Sequence, residues 1–118
     1  MLNQGIKLAF GSDLPLYNFD PLKGIYAAVT RKRGAKDSSW NPKEKISVMQ
    51  AVQAYTKGAA YASYEENLKG SLEVGKLADL VVLSRDIFKI APAEILKTVV
   101  LATIWDGKIV YNDDFVEL

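Results

Sequence analysis

Apolar residues along this chain come in short runs separated by turn-forming clusters, and each run has its own period. Ile6-Lys7-Leu8-Ala9-Phe10 is mostly apolar and ends at Gly11. Its weak alternation predicts a strand buried on both faces, as in a parallel sheet. Gly11-Ser12-Asp13-Leu14-Pro15 breaks the run, because Ser and Asp favour turns and Pro15 pushes Leu14 away from helix. Asp20-Pro21 then supplies an N-cap and a first helical residue, and Leu22, Ile25, Tyr26 and Val29 follow at helical spacing. A helix is expected to run to Arg31, with a basic end at Arg31-Lys32-Arg33 and a stop at Gly34.

Asn41-Pro42 repeats the cap-plus-proline signal. It predicts a second helix, the longest element, carrying Ile46, Met49, Val52 and Tyr55 on one stripe and weakened near Gly58. Residues 59–64 read as a further helical turn or a continuation, and Gly70 to Lys76 as turns. Leu80-Val81-Val82-Leu83 reads as a buried strand, Ala91 to Leu96 as a short helical turn, and Val99–Trp105 and Lys108–Tyr111 as strands. Asp106-Gly107 between the last two is the strongest hairpin signal, since a type I′ turn needs two positive φ angles. Asn112 to Leu118 reads as a tail.

Composition narrows the chemistry. The chain has 118 residues, 49% of them hydrophobic and 25% charged, which suits one globular unit. A net charge of +1 offers no bulk field for nucleic acid or an anionic membrane. There is no run of apolar residues long enough to span a bilayer and no signal-like N-terminus. The lack of cysteine removes disulfides, thiolate zinc sites and a cysteine nucleophile, and fits a cytoplasmic setting. The chain also has no histidine, the commonest metal ligand and neutral-pH base. Metal chemistry by these residues alone would rest on carboxylates, which suit magnesium or calcium and not zinc.

Two segments carry a resemblance: Gly11-Ser12-Asp13-Leu14-Pro15 directly after a strand, and Gly70-Ser71-Leu72-Glu73-Val74-Gly75-Lys76-Leu77-Ala78-Asp79-Leu80-Val81-Val82-Leu83. With Tyr55-Thr56-Lys57-Gly58-Ala59-Ala60 between them, they resemble the amidohydrolase superfamily. Ala28-Val29-Thr30-Arg31, Asp86-Ile87-Phe88 and Thr103-Ile104 point to its YtcJ-like, amidohydrolase 3 branch. The resemblance implies an α/β fold: the C-terminal part of a (β/α)8 barrel, with its last strand and closing helices, plus strands of a small composite β-sandwich. Residues 1–66 would supply the barrel part and residues 67–118 the sandwich part.

It also implies a metal-dependent hydrolase of carbon–nitrogen bonds in amides or cyclic amides, with zinc or another divalent metal in the parent protein. Asp13 would contact that metal and accept a proton from metal-bound water. The family's His-x-His pair, its carboxylated lysine or acid and its further histidines would lie upstream of this last strand. The 118-residue chain is therefore expected to be inactive alone and to bind no cofactor. Its partners would be the missing N-terminal barrel portion and, in the parent, a small-molecule substrate. Loss of barrel neighbours around Ile6, Leu8 and Phe10 predicts self-association of the isolated piece.

Each candidate has a plainer reading beside it. Asp13 is also an ordinary turn residue. Arg31, the best of the basic cluster for substrate contact, is also a solvated helix end complementing the dipole. Gly75-Lys76 lacks the spacing of a phosphate loop and reads as a turn. Ser12 has no histidine base. Asp79 is expected to bond its local turn backbone. Tyr26, Tyr55, Tyr61 and Tyr64 suit core or interface positions. An alternative from another class is an autonomous, non-catalytic interaction or oligomerisation module derived from the same C-terminal half.

Overall fold

The computed structural model describes residues 5–13, 15 and 19–113. Residues 6–13 form a segment that joins no helix or sheet among the described residues. The strand expected at Ile6–Phe10 is therefore not formed among the described residues. The segment lies instead against helical backbone, the Phe10 N–H donating to the Ala54 carbonyl at 3.0 Å.

Helix α1 spans Pro21–Thr30, with the Asp20 side chain accepting from the Leu22 N–H, as the cap-plus-proline signal predicts. Its stop differs from expectation. Arg31, not Gly34, takes the left-handed conformation at φ 57°, and its N–H closes on the Ala27 carbonyl at 2.7 Å.

The second helix also starts later than expected. Pro42–Glu44 makes only one 3-10 turn, after which Lys45 is extended at ψ 142°. The Ile46 N–H bonds the Ala28 carbonyl at 3.3 Å, drawing this stretch along α1 and out of helical register. Helix α2, Val48–Gln53, begins at Ser47, where a capping box with Gln50 satisfies two orphan donors. The Ser47-x-x-Gln50 spacing is the capping-box pattern that marks this start.

A π turn at Ala54–Gly58 joins α2 to α3, Ala59–Ala62. Gly58 keeps helical dihedrals here. Its role is space: a Cβ at this position would collide with the Leu8 carbonyl. The bare glycine lets the segment bearing Leu8 lie directly on the π turn.

The second half forms one antiparallel sheet in the order β1-β2-β3. Strand β1 is Leu80–Leu83, β2 is Val100–Trp105 and β3 is Lys108–Asn112. A 3-10 turn at Pro92–Lys97 lies between β1 and β2, matching the expected helical turn. Asp106 and Gly107 have φ 49° and 75°, the two positive angles required of the hairpin.

Asp79 corrects its expected role. Its carboxylate accepts not from its own turn but from the Asp106 N–H at 2.8 Å, while Gly107 N–H donates to the Ala78 carbonyl at 3.1 Å. The entry to β1 is thereby pinned to the β2–β3 turn. Lys76 is a similar pin: its ammonium donates to the Glu66 carbonyl at 2.7 Å and to Ser71 at 2.8 Å. Those bonds support a turn, not an anion loop, for Gly75-Lys76.

The core joins both halves. Leu22, Ile25 and Tyr26 of α1 pack with Ala51 of α2 and with Ile87 and Ile95 from the β1–β2 connection. Phe10, Tyr55 and Leu83 pack against this cluster. Tyr26 belongs to the core as expected, whereas Tyr64 is 93% exposed and is not a core residue. None of the described helices is long and apolar enough to cross a membrane.

Candidate functional site

Asp13 lies on the surface, three residues beyond the Phe10 N–H that bonds the π turn at Ala54. Its φ of 53° is left-handed, a conformation that Asp tolerates better than most residues because its short side chain can bond locally. A non-glycine residue held there marks a place where the surrounding structure dictates the backbone.

Two contacts fix the surroundings. The Ser12 hydroxyl donates to the Phe19 carbonyl at 3.2 Å, closing the loop that contains Asp13. The Phe10 and Tyr55 rings meet edge to face, with centroids 5.4 Å apart and planes at 76°. Burial pushes the Tyr55 phenol up from its ordinary value, opposed by a hydrogen bond with Ser12 and assisted by the negative Asp20. The phenol therefore stays protonated at neutral pH.

Arg31 is elsewhere and is occupied structurally. Its Nε donates to the Trp40 carbonyl at 3.2 Å, and its own carbonyl accepts from the Trp40 N–H at 2.8 Å. The guanidinium carbon also lies 4.6 Å from the Trp40 ring centroid. Together these contacts close the loop from 32 to 40. Arg31 lines a groove of about 590 Å³ with Leu8, Phe10, Trp40 and Lys43, and Asp13 is not part of that lining. The two candidate residues are thus not brought into one pocket.

Among the described residues, no group of three or more acidic, histidine or cysteine side chains is placed to hold a metal ion. The whole sequence also lacks histidine and cysteine. These residues do not make up a zinc site, which needs about four N, S or O ligands in structural form or three plus water in catalytic form.

Sequence reasoning missed Tyr55 as a neighbour of Phe10. The one available hint was Gly24, a glycine inside α1, whose absent Cβ leaves room for the Tyr55 hydroxyl.

Comparison with known proteins gives the wider setting. The chain is 39% identical over 114 residues to the YtcJ protein of Bacillus subtilis (strain 168), covering 95% of this chain and 22% of that one. It is 34% identical over 112 residues to the N-substituted formamide deformylase of Arthrobacter pascens, covering 95% of this chain and 20% of that one. A crystal structure of an amidohydrolase from Thermotoga maritima MSB8 superposes with a TM-score of 0.66 at 28% identity, over 95% of this chain and 24% of that one. The chain spans about a fifth of the length of the curated relatives it matches. The model of the amidohydrolase family matches residues 1–111, and the chain belongs to that family.

Proposed function

We propose that this chain is the C-terminal portion of a metal-dependent hydrolase that cleaves carbon–nitrogen bonds in amides or cyclic amides, and that it is inactive alone. The position of Asp13 carries the proposal: a carboxylate on left-handed backbone, directly after the apolar segment 6–10 that we take for the last strand of a (β/α)8 barrel. Barrel enzymes keep their chemistry at that end of their strands. Membership of the amidohydrolase family and similarity to a formamide deformylase support the bond type.

In this reading water attacks the amide carbonyl carbon, the C–N bond breaks, and the amine leaves with a proton. Asp13 accepts the proton released by the attacking water and returns it to the leaving nitrogen. Asp13 would contact the metal in the parent, and the other metal ligands belong to the portion of the parent outside this chain. That N-terminal barrel portion is the natural cover for exposed apolar residues such as Ile6, and in its absence copies of the chain would pair instead.

The test is a substrate comparison using the full-length protein and the 118-residue chain in parallel. N-substituted formamides and cyclic amides are followed by amine release or ring opening. The full-length protein is expected to turn over at least one of these classes and the chain neither. Turnover by the chain alone, or none by a metal-replete full-length protein on any amide, contradicts the proposal.

A further inference from the structure

We propose that the Asp106-Gly107 turn is a latent isoaspartate site, kept unreactive by the bonds it makes to Ala78 and Asp79, a property that does not depend on the role of Asp13. Asp106-Gly107 is the one Asp-Gly pair in the sequence. Such a pair is prone to a rearrangement that needs no enzyme, cofactor or oxidant. The Gly107 amide nitrogen attacks the side-chain carboxyl carbon of Asp106. A C–N bond forms, and the amide proton and the carboxyl hydroxyl leave together as water. Water then opens the five-membered imide. When the bond to the main-chain carbonyl breaks, the chain continues through the Asp106 side chain, with one more methylene in the backbone and no net change in mass. Glycine favours the attack because no side chain shields its nitrogen.

Both residues are exposed, so burial does not protect them. The hairpin by itself does not protect them either. Trp105 and Lys108 are the pair that closes the ladder, which leaves over the N–H groups of the two central residues. Each is taken by the entry to β1 instead. The Gly107 N–H, the proton that the attack must remove, donates to the Ala78 carbonyl at 3.1 Å. The Asp106 N–H donates to the half-buried Asp79 carboxylate at 2.8 Å. Ring closure needs the nitrogen released and the Asp106 backbone turned toward it, and the two bonds oppose both movements. Asp79 is the half of this guard that a substitution can remove. Its failure would cost the fold a turn: an added methylene does not fit a two-residue type I′ loop, and β3, exposed throughout, has only β2 as its sheet neighbour.

The test uses the 118-residue chain. Wild type, Asp79→Asn and Asp79→Ala are incubated for weeks at mildly acidic pH, folded and in urea. Isoaspartate in the tryptic peptide ending at Lys108 is measured by electron-based fragmentation in a mass spectrometer. Folded wild type should isomerise at least about a hundredfold more slowly than in urea. Asp79→Ala should speed the folded rate by about 10- to 100-fold, the share lost with a hydrogen bond to a carboxylate, and leave the rate in urea unchanged. Asp79→Asn keeps an oxygen acceptor and should fall between. Amide exchange should quicken at Asp106 and Gly107 in Asp79→Ala, with α1 unchanged.

A folded wild-type rate equal to that in urea overturns the guard. So does an Asp79→Ala rate within about twofold of wild type, because loss of such a bond is larger than that. Exchange that rises equally in α1 marks global opening and overturns it as well. Should Asp79→Ala fail to fold, Asp79→Asn decides by the same comparison, a wild-type rate again counting against the guard.

Discussion

Replacing Asp13 with asparagine is expected to lower kcat of the full-length protein by about 10²- to 10⁴-fold while leaving its thermal unfolding unchanged. The size follows from the role. Asparagine keeps the shape and can hold the same left-handed backbone, but it takes no proton from water at neutral pH. Stability is expected to be unaffected because Asp13 is exposed and outside the core cluster. Steady-state kinetics on a hydrolysed amide give the rate, and a melting curve gives the control. A variant within about threefold of wild type would assign Asp13 to the turn alone, since general-base loss is larger than that.

The largest expected stability effect lies far from Asp13. Ile95 is 0% exposed and is the largest fully buried side chain. It inserts from the 3-10 turn into the cluster with Leu22, Ile25 and Tyr26. Truncation to alanine removes buried methylenes and leaves a cavity that the two flanking elements can only partly close. The expected cost is about 2–5 kcal/mol. Val74→Ala is the matched control: that side chain is fully exposed, and its change should stay within about 0.5 kcal/mol. Denaturant unfolding measures both. A loss below about 1 kcal/mol at Ile95 would mean that the 3-10 turn does not dock on α1 as described.

Local chemistry was legible where one short segment decides its own conformation. Asp20-Pro21 gave the start of α1, and Asp106-Gly107 gave the hairpin, because a cap and a type I′ turn are satisfied within a few residues. The β-branched runs at 80–83 and 100–105 likewise gave strands. Distant contacts were not legible. Asn41-Pro42 carries a sound helix-start signal, yet the bond from Ile46 to Ala28 holds the chain extended until Ser47. Gly34 offered an obvious stop, but pairing of Arg31 with Trp40 sets the turn three residues earlier.

The candidate site shows the same division. Gly11-Ser12-Asp13 is visible as a turn after an apolar run, and its resemblance to the amidohydrolases singled out Asp13. The Tyr55 ring meets Phe10 edge to face and its hydroxyl lies over Gly24 of α1, contacts that no local pattern encodes. Arg31 was chosen for its charge and its place after the loop, and its guanidinium turns out to be stacked on Trp40.

The most direct measurement is a crystal structure of the full-length protein with a hydrolysis-resistant amide analogue bound. The account predicts an Asp13 carboxylate oxygen within about 2.6–3.2 Å of the attacking water or of the group that mimics it. An Asp13 carboxylate turned to bulk solvent, with another residue at that distance, would contradict it.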